Sequence, residues 1–379
     1  MADIIENLED DRDTISSEEI EKQFNKKYNL LAETAVTLRQ SYINKLDVNQ
    51  FLKIAISLDD NSLEVYELNN SSFQSICRLE GHDKKVTEVV FHPKNEFLLF
   101  STSHDGSIKL WDIRIKGTCV KEFKGEEDSP IRPYECMDVA DTGNIFCSGS
   151  QLVEDESYLV FWDPRLTNSL GAYWESHTED ITQVKFKPNT NSILASGAGD
   201  GLINIFNLQE EDEDSALDYS LNIGNSVEKL HWLSNEELSC ITQSNDMQIW
   251  EASTGDLVKE YSRDKIARNI KRSRDDDCYV VDTFLLADGT KCVLTGSYGG
   301  NGNTLRSLSI SGKRLIPCTD FVGNRQVVRC CRYDTHKNIL ITSGESGLIS
   351  AWSAQDTGCM DTPVDGKDSK VRALRHRPY

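Results

Sequence analysis

Short apolar runs broken by Gly, Asn, Asp and Pro recur along the chain, and one stretch shows the repeating unit whole. From Val86 to Phe91 apolar and polar positions mix as in a strand, and Pro93 and Asn95 then mark a turn. Phe97 to Phe100 is a continuous apolar run, which predicts a strand buried on both faces. His104-Asp105-Gly106 reads as a tight turn, because glycine accepts backbone angles that other residues resist. Ser107 to Asp112 alternates again and closes on Trp-Asp. The pattern returns at intervals of about 44 residues, inside the range of a four-stranded propeller blade.

Tyr66, Trp111, Trp162, Phe206, Trp250, Leu308 and Trp352 occupy the same place in successive units. Seven anchors predict an all-β, seven-bladed β-propeller over residues 31–358. Residues 51–57 and 62–68, around the turn at Asp59-Asp60-Asn61, read as strands of an incomplete first blade. A segment within residues 33–42 is expected to close the ring by pairing with the last blade, which removes two open sheet ends. The fifth unit keeps only Asp246 and Trp250 of the motif, and the sixth keeps almost nothing. The intervals widen before Trp162 and before Leu308, which places insertions at residues 151–157 and 262–278. Both fall on one face of a propeller. One loop is acidic (Glu154, Asp155, Glu156) and the other basic (Arg263, Lys265, Arg268, Lys271, Arg272, Arg274). The basic loop binds a partner, folds onto the protein's own acidic surface or is flexible. The run Glu210–Asp214 reads as a solvated loop on the opposite face.

Residues 1–30 form an acidic arm, either helical or disordered. Ser16 and Glu19 stand three apart, as in a capping box, and a short helix over about residues 17–27 would put Ile20 and Phe24 on one side. Residues 359–379 read as a flexible basic tail.

Residues 79–112 resemble a WD repeat, and the stretches DESYLVFWDPR and SGAGDGLINIFN extend the likeness. The resemblance implies a hydrogen-bonded tetrad of His82, Ser103 (or Ser101), Asp105 and Trp111. The fourth unit repeats it with His177, Ser196 and Asp200, and Phe206 replaces the tryptophan. Such a network pins loop to strand when every polar atom is satisfied, so His82 and Asp105 read as structural and not as a catalytic pair. Trp-Asp-x-Arg occurs twice, ending in Arg114 and Arg165 on adjacent units. The motif resembles the docking box of substrate receptors for cullin-4 ubiquitin ligases, which implies partner binding by Arg114 and Arg165. The planar guanidinium suits that task because it makes bidentate contacts.

The formal charge of −21 argues against direct nucleic-acid binding, which needs basic surface. It fits a soluble monomer, or a binder of basic partners. The start is acidic and lacks an apolar signal core, and no apolar run approaches the roughly 18 residues of a membrane span. A cytoplasmic or nuclear protein is expected. The eleven cysteines lack Cys-x-x-Cys spacing and read as reduced thiols. No His cluster has metal-ligand spacing, and GSYGGNGN at 296–303 lacks the Gly-Lys-Ser/Thr of a phosphate loop. No cofactor, metal or catalytic residue is therefore expected. The expected function is a non-enzymatic scaffold for protein–protein interaction, in the specific form of a cullin-4 ligase adaptor. The alternative is an acidic chaperone or assembly factor for basic proteins such as ribosomal proteins or histones.

Overall fold

The computed structural model describes residues 11–37, 41–115, 118–125 and 130–354. Seven four-stranded antiparallel sheets follow one another around a ring. Blades 1 to 6 span residues 43–79, 86–124, 134–173, 181–222, 227–261 and 278–320. In each the strands lie in chain order from the inside outward. Blade 7 combines Val328–Asp334, Ile339–Gly344 and Leu348–Ala354 with Tyr28–Ala35, which pairs with Leu348–Ala354 as the outermost strand. The first strands of neighbouring blades touch all the way round, including Val328–Asp334 against Ile43–Val48. Closure comes from the expected side of the chain, with Glu33–Ala35 of the segment 33–42 paired to the last blade, but the strand begins earlier, at Tyr28.

All seven anchors fall in third strands, and each sits at a one-residue register shift against the fourth strand. The shift is at Tyr66, Trp111, Trp162, Phe206, Trp250, Leu308 and, against the closing strand, Trp352. A bulge there strengthens local twist and lets a large side chain turn into the space between blades. A second shift recurs near the start of every first strand, as between Val86 and Glu88 or Val328 and Cys330. Blade 6 has lost most of the motif yet keeps both irregularities. The core is accordingly a series of apolar layers between blades. Between blades 2 and 3 it holds Phe100, Phe123, Phe146 and Trp162, all fully buried.

Among the described residues three short α-helices decorate the ring: α1 (Ser17–Gln23), α2 (Glu213–Ala216) and α3 (Arg263–Asn269). The first carries the expected capping box, in which Glu19 N donates to Ser16 Oγ and Ser16 N donates to Glu19 Oε2. The described part of the arm is thus ordered structure on the outside of blades 5 and 6. GSYGGNGN is an inter-strand turn of blade 6, with Gly300 and Asn301 both at positive φ. The basic tail 359–379 and residues 1–10 lie outside the described residues.

Candidate functional site

In blade 2 the His82 Nδ1–H donates to Asp105 Oδ2 at 2.8 Å, and His82 Nε2 meets Ser101 Oγ at 2.7 Å. Trp111 Nε1 donates to the same Ser101 Oγ at 2.8 Å. Asp105 also accepts from Asp83 N, Ser107 N and Ser107 Oγ. Burial alone would raise the Asp105 pKa, but these donors outweigh it and hold the carboxyl well below the usual range. The network is satisfied within itself.

The tetrad hydroxyl belongs to Ser101 and not to Ser103. Ser103 Oγ instead donates to Lys84 O at 3.0 Å and accepts from Asp105 N. The reason is register: Trp111 stands opposite Leu99, so the hydroxyl that meets its indole lies two residues further along the second strand. Blades 3 and 7 repeat the geometry, with Trp162 Nε1 on Ser148 Oγ and Trp352 Nε1 on Thr342 Oγ1. Blade 4 keeps the histidine half, His177 to Asp200 at 3.0 Å and to Ser196 at 2.7 Å, with Phe206 filling the ring position. His82 to Ser101 and His177 to Ser196 share the same separation of 19 residues, the one signal in the sequence that selects Ser101.

Arg114 and Arg165 lie in the turns between third and fourth strands of blades 2 and 3. Those turns open on the face opposite the two insertions. Each guanidinium is held by the Asp of its own Trp-Asp pair. Arg114 Nε and Nη2 donate to Asp112 at 2.9 and 2.6 Å, and Arg165 Nε and Nη2 donate to Asp163 at 2.9 and 2.5 Å. The forks are oriented but open to solvent, with side chains 60% and 75% exposed. Arg114 also lies over the Phe97 ring at 4.9 Å, and Lys121 Nζ donates to Pro164 O, tying the fourth strand of blade 2 to the Arg165 turn. Directly after the arginines stand Ile115 and Leu166, each about half exposed, and Phe51 is exposed on the same face of blade 1. Sequence reasoning found the arginines but missed these apolar neighbours, because an isolated Ile or Leu in a turn carries no signal until adjacent blades bring two together.

The basic insertion is largely neutralised within the chain. Arg272 Nε donates to Asp11 at 2.7 Å and its Nη1 to Asp13 at 3.1 Å, Arg274 pairs with Asp276, and Arg268 pairs with Asp264. Arg263 N donates to Asp246 of blade 5. Of the readings open for this loop, folding onto the protein's own acids is the one observed. The acidic insertion is likewise tied down: Arg132 Nη1 donates to Val153 O and Glu156 O, across a turn in which Glu154 and Asp155 both take positive φ.

The axis of the ring carries a mouth cavity of about 530 Å³ and a deeper one of about 220 Å³. The deeper one alternates in charge, with Lys45 on Glu88 at 3.1 Å, Arg332 between Asp47 and Asp282, and Lys185 3.8 Å from Asp138. Burial pushes the Glu88 pKa up, but Lys45, Lys185 and Arg332 outweigh it and hold the carboxyl at about 2. Among the described residues no group of three or more His, Cys, Asp or Glu could hold a metal, and no helix is long and apolar enough to cross a membrane.

Fold and site together define a seven-bladed β-propeller that carries WD repeats, an architecture suited to protein–protein interaction. The family description "WD domain, G-beta repeat" matches residues 73–112 and 168–207, the windows of the two His–Ser–Asp networks. Along most of its length the chain is similar to the WD repeat-containing protein 89 homolog of Dictyostelium discoideum, with 23% identity over 89% of this chain and 92% of that one. It is 27% identical to the WD repeat-containing protein GTS1 of Arabidopsis thaliana over 65% of this chain; the match spans 62% of that relative's length. A shorter likeness, 31% over 42% of the chain and 29% of the relative, joins it to pre-mRNA-processing factor 19 of Bos taurus. Among solved structures, a chain of a mitotic checkpoint complex superposes with a TM-score of 0.67 over 88% of this chain and 94% of its own, at 16% identity, a likeness of fold alone.

Proposed function

We propose that this propeller docks a protein partner through the face of blades 2 and 3, with Arg114 and Arg165 as paired anchors, and that it serves as a substrate-recruiting adaptor of a cullin-4 ubiquitin ligase. The observation that carries the reading is the repetition of one device on adjacent blades. In each, a guanidinium is fixed by its own Asp yet exposed, and a solvent-facing aliphatic side chain follows it. A fixed fork loses little entropy on binding, and an apolar neighbour excludes water from the contact. The partner surface this fits bears carboxylates or carbonyls beside an apolar patch. The mouth of the ring and the opposite face stay open for a second protein, as recruitment requires. The place of action is the cytoplasm or the nucleus.

The test is affinity purification of tagged wild type beside the Arg114→Glu/Arg165→Glu variant. Surface ion pairs contribute little to stability, so the variant's thermal midpoint should move by no more than about 2 °C. Capture of the ligase adaptor by wild type alone supports the reading, and capture by both sinks it.

The charge of −21 favours a second reading, an assembly factor for basic proteins such as ribosomal proteins or histones. It predicts association that weakens steeply between low and high salt. Salt-independent capture of such proteins would remove it.

A further inference from the structure

Blades 5 and 6 each complete four strands without any help from the arm. Residues 11–27 nevertheless run down the outer seam between them, from Ser297 on the insertion face to Asp288 on the other. The arm touches backbone at separated points, an antiparallel bridge of Asp13 to Arg272 and a parallel bridge of Lys26 to Thr319. It is not a strand of either blade. Its contacts have the form of a bound peptide. Asp11 is buried and accepts from Arg272 Nε, Ser273 Oγ, Arg274 N and Ser297 Oγ. Asp13 accepts from Arg272 and, through both oxygens, from Arg306 at 2.6 and 3.0 Å. A capped turn of helix then seats Ile20 and Phe24 among Met247, Tyr261, Ile266, Ile270 and Leu315, with Arg306 lying over the Phe24 ring.

The receiving side is shaped for this occupant. The Arg272 and Arg306 side chains are only 7% and 5% exposed, and Arg306 is held in place independently by Asp320 and Ile270 O. At Gly299 a Cβ would lie 2.8 Å from the Asp11 Cβ, so only glycine leaves room for the carboxylate. A seven-residue helix does not hold itself in water, so α1 is helical because the seam binds it.

We infer that the seam between blades 5 and 6 is a binding site for an acidic amphipathic peptide, occupied in this chain by its own residues 11–24. A partner takes the site by presenting the same chemistry, Asp-x-Asp followed by a capped helical turn with two apolar residues at i and i+4, and by displacing the arm. The arm is tethered, so its effective concentration at the seam is on the order of millimolar, and the intact chain holds competitors off. The site is remote from Arg114 and Arg165 and does not depend on the docking function proposed for them.

The test uses the full-length chain and a fluorescent peptide of residues 11–27, followed by anisotropy. Ile20→Ala weakens the resident arm and leaves every guanidinium contact in place. The peptide should bind this variant at least about ten-fold more tightly than wild type. A peptide with Asp11→Asn and Asp13→Asn should bind neither. Equal affinity for variant and wild type, or binding that ignores the two aspartates, would overturn the assignment. Hydrogen exchange on wild type provides an arm that needs no variant. Amides of residues 11–27 and 271–274 should exchange together and faster than those of Lys291–Ser297, and exchange no faster than that strand rules out a displaceable occupant.

Discussion

At Ser101 one hydroxyl serves two buried rings, accepting from Trp111 while it meets His82 Nε2. Ser101→Ala leaves the Trp111 indole N–H and His82 Nε2 without a partner, while His82 Nδ1 keeps Asp105, and should cost about 2–3 kcal/mol in urea unfolding. Ser103→Ala removes a bond to one carbonyl and one amide at the strand end, and should cost about 1 kcal/mol. Equal losses would contradict the register assignment. Trp111→Ala removes a fully buried ring and should cost about 3–5 kcal/mol. Trp352 is just as buried, packs on Phe321 and bonds Thr342, but has no histidine behind that hydroxyl. Trp352→Ala should therefore fall short of Trp111→Ala by on the order of 1 kcal/mol.

At the scale of elements, the arm and the basic insertion make one unit, each supplying the charges the other lacks. Phe24 is fully buried in the seam, and Phe24→Ala should cost about 3–5 kcal/mol, measured by urea unfolding. Burial works against ionisation of Asp11 and Asp13, but Ser297, Arg272 and Arg306 outweigh it and hold both carboxyls below their ordinary range. A folded pKa below the unfolded one gives stability that is present above the unfolded value and lost as pH falls through the folded value. Unfolding free energy should thus drop as pH is lowered from 5 towards 2, with Glu88 at about 2 contributing to the same fall. Asp13→Asn should start less stable at pH 6 and show a shallower fall. An identical pH profile would show that this carboxylate is not held by its arginines.

For the whole molecule, closure is the controlling feature. Tyr28–Ala35 is the outermost strand of the last blade, so the first described strand and the last hold the ring shut. A chain beginning after residue 37 would expose the edge of Leu348–Ala354, and open edges pair with one another. Size-exclusion chromatography should show such a chain aggregating, whereas removal of residues 1–10 alone should leave a monomer. The ring also decides what the acidic charge is for, since part of it is already neutralised by Arg272 and Arg306.

What the sequence determined by itself is local and periodic. Seven anchors, at an interval widened only before Trp162 and Leu308, set the blade count, because each blade is built by near neighbours in the chain. The helix cap at Ser16 and the arginines in their turns were legible for the same reason: two or three residues suffice to define them. The His–Asp spacing was legible too, but Ser101 and Ser103 both point to one side of a strand, and apart from the 19-residue separation shared with His177 and Ser196 it is cross-strand register that separates them. The remainder was decided by tertiary structure. Tyr28–Ala35 reads as an ordinary half-polar stretch until a partner strand far along the chain is beside it. Asp11 and Asp13 look like solvated acids, and Arg272 like a binding cation, until folding brings the arm to the insertion. Closure on the last blade was expected from residues 33–42, and Glu33–Ala35 take part in it. Long-range pairing carries little local pattern, however, so neither the start of that strand at Tyr28 nor the occupied seam was legible before the ring was seen closed.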